Sequence, residues 1–232
     1  MNYIAVLFRP KETRDLPHSS GIYNPDWANK LFRGLERHTS EGWSREDPLL
    51  TVITDFDRTN FEPDITTTDF VYPERDWSSM MELFRPDVVG DGAILLGLDT
   101  IIVGSLKPIE AACKRAQCIV PLDPYHAPEI CNAAVWVAGE VAEEIWFEWT
   151  ERRERDMRDP KYQMWGKFSE MMWLRSHLKF DDTWDSMAPG AIASWKVDLL
   201  LGPPEKRTAA VFFHGQQKPH NVKQSWIRAH WV

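Results

Sequence analysis

Short runs of apolar residues, each closed by polar loop residues, recur along the chain. Residues 3–8 read YIAVLF, residues 49–53 read LLTVI and residues 93–96 read AILL. Continuous apolar runs of this length, bounded by turn signals, are typical of strands that are buried on both faces. The pattern therefore predicts buried strands at these places.

A helix is predicted between the first two strands. Pro25 suits the first position of a helix, where a missing N–H leaves no bond unmade. From there Trp27, Leu31 and Leu35 recur at helical spacing. A strand, a helix and a strand in this order indicate a parallel βαβ unit.

The remainder of the chain alternates in the same way. In chain order we predict a surface crossing at 63–74, a helix at 77–84, strands at 101–103 and 130–137, helices at 139–157 and 161–178, and strands at 191–195 and 209–213. This alternation predicts an α/β fold class, with a Rossmann-like mixed sheet flanked by helices in a single domain.

Composition changes this picture little but excludes some functions. Of the 232 residues, 43% are hydrophobic, which is enough to build a large core. A net charge of −8 argues against a surface that coats nucleic acid, because such surfaces have a basic excess. Cys113, Cys118 and Cys131 lack paired CxxC spacing, so we expect buried free thiols in a reducing compartment rather than a disulfide or zinc framework.

The N-terminal sequence MNYIAVLFRPKETRD does not have the form of a signal peptide. Its apolar run is short and meets charge at Arg9, whereas a signal peptide has a longer apolar stretch after a basic start. No window of the sequence reaches the ~18 apolar residues of a membrane span. We therefore expect a cytoplasmic protein with no membrane anchor.

The residues that could bind a ligand or take part in catalysis lie where the predicted strands end. Open α/β sheets bind ligands at the carboxyl ends of their strands, and the polar residues found there are Arg9, Asp55, Asp99, Asn132 and His214. Asp99 either offers hard oxygen ligands to a divalent cation or caps a turn. The sequence lacks the glycine-rich loops of P-loop and dinucleotide enzymes and the GxSxG elbow of hydrolases.

The segment FHGQQKP combines residue types that suit an anion and a metal. His214 is a possible ligand for Mn²⁺-like ions. Gly215 allows backbone to approach a ligand closely, and Lys218 supplies a positive charge for phosphate. Each of these residues alone more often has a structural role, whereas the three close together are a more specific indication of a binding site.

Several segments, in order, resemble a known family. FHGQQKP resembles the HGxxKP ending of glycogenin-like and bacterial galactosyltransferase-like enzymes, and AILLGLDTIIVGSLKPI resembles their strand with an Asp-x-Asp motif. ICNAAVWVAG resembles their sugar-pocket strand, FSEMMWL their helix facing the transferred sugar, and GIYNPDWANKLFRGLERHT with LLTVITD their nucleotide-binding unit. The resemblance covers nearly the whole chain. It implies a GT-A fold with a nucleotide-binding half at 1–100 and an acceptor half at 101–232.

The resemblance also implies an activity. It predicts transfer of a hexose from a nucleotide-diphosphate sugar, a uridine-diphosphate sugar first, to the hydroxyl of an unidentified acceptor, assisted by Mn²⁺ or Mg²⁺. It further implies retention of anomeric configuration by front-face attack, with the leaving phosphate helping to take the acceptor's proton. By position it assigns Asp99 and His214 to the metal, Asn132 and Glu170 to the catalytic region, and Phe8, Arg9, Tyr23, Asp55, Gly215 and Lys218 to the nucleotide sugar.

Departures from the family pattern bear on the donor and the metal. Gly97 stands where the first metal-binding Asp is expected, Met80 where a Lys or Arg is common, and the triplet at 169–171 reads SEM instead of GDQ. Loss of a carboxylate weakens a metal site unless another residue replaces it, for which Asp91 and Asp123 are candidates.

Two alternatives stay open. A phage-type DNA glycosyltransferase that modifies a hydroxymethylated base would use basic and aromatic side chains near the C-terminus to follow a backbone and stack on a displaced base. The residues concerned are Lys206, Arg207, Lys218, Lys223, Trp226, Arg228 and Trp231, which an ordinary amphipathic terminal helix explains as well. A catalytically degenerate protein that only binds a sugar nucleotide is the other alternative, supported by Gly97.

Overall fold

The computed structural model describes residues 1–9, 23–39 and 48–232. The strands are β1 (Asn2–Leu7), β2 (Leu50–Thr54), β3 (Thr66–Thr68), β4 (Gly92–Leu96), β5 (Thr100–Ile102), β6 (Cys118–Val120), β7 (Ala134–Ala138), β8 (Gln163–Met164), β9 (Lys167–Phe168), β10 (Asp182–Thr183), β11 (Ile192–Ser194) and β12 (Ala210–Phe212). The α-helices are α1 (Pro25–His38), α2 (Pro86–Val89), α3 (Lys107–Cys113), α4 (Gly139–Asp156), α5 (Glu170–His177), α6 (Trp184–Met187), α7 (Trp195–Asp198) and α8 (Ser225–His230). Segments of 3-10 helix occur at Arg58–Asn60, Trp77–Phe84 and Pro160–Tyr162.

Ten of the twelve strands in the described residues belong to two sheets. The larger is seven-stranded and mixed, in the order β10-β6-β7-β4-β1-β2-β3. Strand β1 pairs in parallel with β2 and β4, whereas β7 is antiparallel to β4 and β6. The smaller sheet has the order β11-β12-β5, with β11 parallel to β12. The predicted α/β class, with a mixed sheet flanked by helices in one domain, is confirmed, while the boundary between two halves at residue 100 stays a prediction.

Side chains of β1 alternate between two hydrophobic cores. Tyr3, Ala5 and Leu7 pack into the core that includes α1 and the smaller sheet. Ile4 and Val6 pack into the core on the opposite face, with the 3-10 helix at Trp77–Phe84 and helices α4 and α5. Both faces of the central parallel strand are therefore covered, which explains its continuous apolar sequence.

Helix α1 begins at Pro25, as predicted. The side chain of Asn24 caps it by accepting a hydrogen bond from the Asp26 backbone N–H at 3.0 Å. The apolar face is buried and consists of Trp27, Ala28, Leu31, Phe32 and Leu35. The parallel pairing of β1 with β2 completes the predicted βαβ unit.

The helix predicted over 161–178 is wrong in its first half. Strands β8 and β9 form a hairpin there, and Trp165 and Gly166 at its turn have φ angles of 54° and 76°. Left-handed backbone cannot continue a right-handed helix, so α5 begins only at Glu170. The strand predicted from residue 130 likewise begins later, at Ala134, and the predicted surface crossing contains the short strand β3.

The three cysteines are free thiols, as expected. Cys113 and Cys118 are buried and Cys131 is partly buried. In the part of the chain that the structure describes, no helix has both the length and the apolar character needed to cross a membrane. The cytoplasmic location stays a prediction.

Candidate functional site

Asp99 lies in the tight connection between the two sheets. Strand β4 ends at Leu96, and the Thr100 backbone N–H donates to the Gly97 carbonyl at 3.1 Å, so the chain turns directly into β5. The turn leaves the Asp99 side chain buried. A buried carboxylate has to be paired to persist in its charged form.

Two residues from distant parts of the chain pair with this carboxylate. The Tyr23 hydroxyl donates to Oδ2 of Asp99 at 2.9 Å, and the Lys218 ammonium contacts the same oxygen. The Lys218 Nζ also lies 5.7 Å from the centroid of the Tyr23 ring. Burial first, and the Asp99 charge second, raise the pKa of the Tyr23 hydroxyl far above its usual value, so it keeps its proton and remains a donor. Three predicted site residues therefore meet.

His214 and Gly215 lie at the edge of the smaller sheet. They follow β12, while Lys196 follows β11, and these strands are parallel, so the three residues come to one edge. The His214 Nε2 and the Ser194 Oγ are 2.8 Å apart. A Cβ built on Gly215 would lie 4.0 Å from the Lys196 Nζ. The φ of 74° at Gly215 is accessible to glycine without strain.

Charges around His214 connect this edge with Asp99. Burial lowers the pKa of the imidazole, and the ammonium groups of Lys196 and Lys218 lower it further. The carboxylates of Asp123 and Asp99 act in the opposite direction. The ring is therefore neutral at pH 7. Strand β12 is antiparallel to β5 with Phe212 opposite Thr100, so His214, two residues after Phe212, lies near Asp99, the residue before Thr100. Lys218 contacts Asp99, so Asp99, His214 and Lys218 belong to one region.

The side chains of this region do not fit a divalent metal. Oδ2 of Asp99 already accepts from Tyr23 and contacts the Lys218 ammonium, whose positive charge repels a second cation. Gly97 contributes no ligand, and Nε2 of His214 is hydrogen-bonded to a serine hydroxyl. Across residues 1–9, 23–39 and 48–232, no group of three or more His, Cys, Asp or Glu side chains is arranged to hold a metal ion.

Asp123 does not replace the missing carboxylate. Its Oδ2 accepts from Arg175 Nη2 at 2.6 Å, and its Oδ1 accepts from the backbone N–H groups of Tyr125 and His126. The carboxylate is therefore committed to shaping its own loop. The Mn²⁺ or Mg²⁺ expected from the resemblance stays a prediction that these donors do not favour.

Asn132 and Glu170 form a second pair beside the Asp99 turn. The Asn132 Nδ2 donates to Oε1 of Glu170 at 3.1 Å. The next residue, Ala133, accepts a hydrogen bond from the Gly97 backbone N–H at 3.2 Å, which places the pair next to the turn. Burial raises the pKa of Glu170 to about 7, with hydrogen bonds from Asn132 and the helix backbone opposing it and the Asp76 charge adding to it. A carboxyl group with this pKa exchanges protons readily at neutral pH.

Phe8, Arg9 and Asp55 lie at the ends of β1 and β2. The Arg9 backbone N–H donates to Oδ1 of Asp55 at 3.0 Å, and the Arg9 guanidinium lies 4.4 Å from the centroid of the Phe56 ring. Oδ2 of Asp55 accepts from Arg75 at 3.2 Å, and Phe8 packs against the opposite core. Because β1, β2 and β4 are parallel neighbours, this group lies along the same sheet edge as Asp99.

Sequence reasoning missed Lys196, Ser194 and Tyr125. The Tyr125 ring packs edge-on against His214 with 5.2 Å between centroids, and the Lys196 Nζ lies 5.3 Å from the Tyr125 centroid. In the described part of the chain Lys196 has no ion-pair partner. Its position directly after a strand was readable, so the rule that selected His214 also selects Lys196.

The basic and aromatic residues near the C-terminus do not form one exposed face. Trp231 is buried, with its ring centroid 5.2 Å from that of Trp27, and Lys218 is paired with Asp99. Only Ser225–His230 is helical in this region. The DNA-modifying alternative thus loses two of the side chains on which it depends.

Three solved structures of glycosyltransferases share this fold. The glycosyltransferase GlyE of Streptococcus pneumoniae TIGR4 matches with a TM-score of 0.59 and 13% identity over 95% of this chain and 56% of its own. An active-site mutant of LgtC matches with a TM-score of 0.62 and 10% identity, over 98% of this chain and 93% of its own. The galactosyltransferase LgtC with donor and acceptor sugar analogs matches with a TM-score of 0.56 and 11% identity, over 94% and 89%.

These likenesses confirm the predicted GT-A fold. The chain spans little more than half of the GlyE chain but most of the LgtC chain. No protein-family model and no curated protein sequence matches it.

Proposed function

We propose that this chain is a glycosyltransferase that binds a nucleotide-diphosphate sugar and transfers the sugar to a hydroxyl acceptor. The observation that carries the proposal is the buried contact between Lys218 and Asp99, with the Tyr23 hydroxyl on the same oxygen, at the carboxyl edge of a GT-A sheet. This edge is where open α/β sheets bind their ligands.

Two lysines supply the positive charge that a diphosphate needs. Lys218 is held in place by Asp99, and its backbone N–H is fixed by the Asn221 side chain at 2.8 Å. The Lys196 Nζ, on the neighbouring strand's side, lies 4.0 Å from the position that a Cβ of Gly215 would take. Cations fixed before the substrate arrives stabilise charge that develops on the leaving diphosphate more than they stabilise the ground state.

Lys218, in our proposal, performs the task that the family gives to a divalent ion. The ammonium contacts Oδ2 of Asp99, the oxygen that also accepts from Tyr23, and Gly97 leaves no second carboxylate to attract a metal. We therefore propose that donor binding does not depend on Mn²⁺ or Mg²⁺. Tyr23, Arg9 and Asp55 are proposed to contact the nucleoside, with a uridine-diphosphate hexose as the first candidate donor.

In the proposed reaction, the bond between the anomeric carbon and the phosphate oxygen breaks, and its electron pair moves to the diphosphate. The acceptor oxygen bonds to the anomeric carbon, and the acceptor proton passes to the departing diphosphate. Asn132 and Glu170 are proposed to hold the donor sugar through its hydroxyl groups, with the amide orienting the carboxyl. Retention of configuration stays a prediction.

Slow hydrolysis of the donor tests this proposal without knowledge of the acceptor. We expect release of uridine diphosphate from UDP-glucose or UDP-galactose in the presence of EDTA, and loss of release in the Lys218→Met variant. Donor binding without any hydrolysis would support the degenerate alternative. Neither binding nor hydrolysis with any common sugar nucleotide would overturn the proposal.

A further inference from the structure

Trp165 is exposed in a place where folding gives no reason for a tryptophan. Its side chain is 78% exposed at the tip of the β8–β9 hairpin. Trp165 and Gly166 both have positive φ angles, of 54° and 76°. Two-residue hairpin turns with this backbone favour Asn or Asp followed by Gly, and a bulky residue there is an outlier. The indole therefore costs stability while burying little of its own surface.

Trp77 stands opposite this exposed indole. The ring centroids are 6.0 Å apart and the ring planes are inclined at 57°. Trp77 begins the 3-10 helix at Trp77–Phe84, which Asp76 caps by accepting from the Ser78 backbone N–H at 2.8 Å. Its partly buried ring is held by this helix, so the two indoles form a corner with one rigid side and one side open to solvent.

Short connections join this corner to the Asn132–Glu170 pair. The Ser169 backbone N–H donates to the Tyr162 carbonyl at 2.8 Å, which closes the hairpin one residue before Glu170. On the other side Asp76 directly precedes Trp77, and the 3-10 helix that begins at Trp77 contacts α5, which begins at Glu170. One segment, 76–77, thus carries Asp76 and the first indole, and the other, 165–170, carries the second indole and Glu170.

We propose that Trp77 and Trp165 form the acceptor subsite and that the acceptor is a carbohydrate. This inference rests on the proposed function. The C–H face of a pyranose ring packs against the flat, apolar face of an indole, while its hydroxyl groups find an acceptor in the neighbouring carboxylate of Asp76. The negative charge of Asp76 repels the phosphates of a nucleic acid, which disfavours a DNA acceptor at this corner.

Saturation-transfer NMR tests the subsite with lactose, maltose and methyl β-galactoside as probes, in the presence of uridine diphosphate. The informative variant is Trp165→Asn, because Asn suits the turn while removing the indole. We expect its melting temperature to rise and the saturation transfer to the sugar to fall roughly fivefold. Trp77→Ala should lose the sugar signal as well. Phe147→Ala, which removes a 61% exposed ring from α4, is the matched control and should bind like the wild type.

The possible results separate the subsite from the donor site. An unchanged sugar signal in Trp165→Asn overturns the inference, as does a lowered melting temperature, which would show that the indole serves folding. If the wild type binds UDP-glucose but none of the sugar probes, the subsite is wrong and the proposed function stands. If no common sugar nucleotide binds either, both fail. Contact with a hydroxymethylcytosine oligonucleotide in place of the sugars would overturn the carbohydrate assignment.

Discussion

Lys218 and Asp99 are 119 positions apart in the chain, yet the ammonium of one contacts Oδ2 of the other inside the protein. The contact connects the segment after β12 with the turn between β4 and β5. Both side chains are buried, so each charge depends on the other for compensation. A pair of this kind has consequences for stability as well as for ligand binding.

Removing one partner should destabilise the fold. We expect Lys218→Met to lower the free energy of unfolding by about 3–5 kcal/mol, because Asp99 is left charged and buried. The double variant Asp99→Asn/Lys218→Met should recover most of this loss, because both charges are gone. Urea unfolding measures the difference. Equal stability of the wild type and Lys218→Met would show that the pair is not formed in solution.

Replacing Lys196 should weaken donor binding without changing the stability of the fold. Its ammonium lies beside Gly215 and makes no ion pair in the described residues, so Lys196→Met leaves no buried charge behind. We expect the affinity for UDP-glucose to fall about tenfold or more, as for loss of a hydrogen bond to a charged group, at an unchanged melting temperature. Lys179→Met, an exposed lysine after α5, is the control for net charge. A variant that binds like the wild type would remove Lys196 from the site.

Restoring the missing carboxylate should create a metal site. A Cβ at position 97 would lie 2.8 Å from Oδ1 of Asp99, so the two side chains would share one space after a small movement of that carboxylate. We predict that Mn²⁺ raises the melting temperature of Gly97→Asp, while Mn²⁺ leaves the wild type unchanged. Gly97→Asn, which adds the same bulk without the charge, should behave like the wild type. A clear Mn²⁺ response of the wild type would contradict the lysine-based site.

Glu170 should make stability depend on pH around neutrality. Its pKa in the folded protein is about 7, whereas an unfolded glutamate titrates near about 4.3. Between these values the folded state binds more protons than the unfolded state. The stabilising contribution of Glu170 is therefore complete below the lower pKa and is lost as the pH rises through 7. From about pH 5 to about pH 8 the wild type should lose on the order of 2–3 kcal/mol more than Glu170→Gln. Parallel pH profiles of the two proteins in urea unfolding would refute the assignment.

The strand ends were predictable because each strand is a continuous apolar run. Asp55 and Asp99 follow two such runs, and the parallel pairing of β1 with β2 and β4 brings them to one edge. His214 follows β12, whose antiparallel pairing of Phe212 with Thr100 brings it near the Asp99 turn. Which polar groups contact one another at this edge was harder to predict from the sequence. Asp99 and His214 were expected to share a metal, but their observed hydrogen-bond partners are Tyr23 and Ser194 respectively. Such choices depend on side-chain packing between elements, which sequence spacing does not encode.

The hairpin before α5 was missed for a different reason. Its strands have two residues each, too few for an alternating pattern, and Tyr162, Trp165 and Phe168 imitate helical spacing. The left-handed backbone of Trp165 is visible only in the folded chain. The indole corner with Trp77 was therefore beyond prediction from the sequence.

The central claim is that a lysine held by Asp99 binds the donor diphosphate without a metal. The most direct measurement is the thermal shift of the wild type and of Asp99→Asn/Lys218→Met with UDP-glucose and UDP-galactose, in EDTA and in Mn²⁺. A ligand at about 100 times its Kd stabilises a protein by about 2.7 kcal/mol, which is easily read. We predict equal shifts of the wild type in EDTA and Mn²⁺, and no shift of the double variant in either. A shift that requires Mn²⁺, or one that persists in the double variant, would contradict the claim.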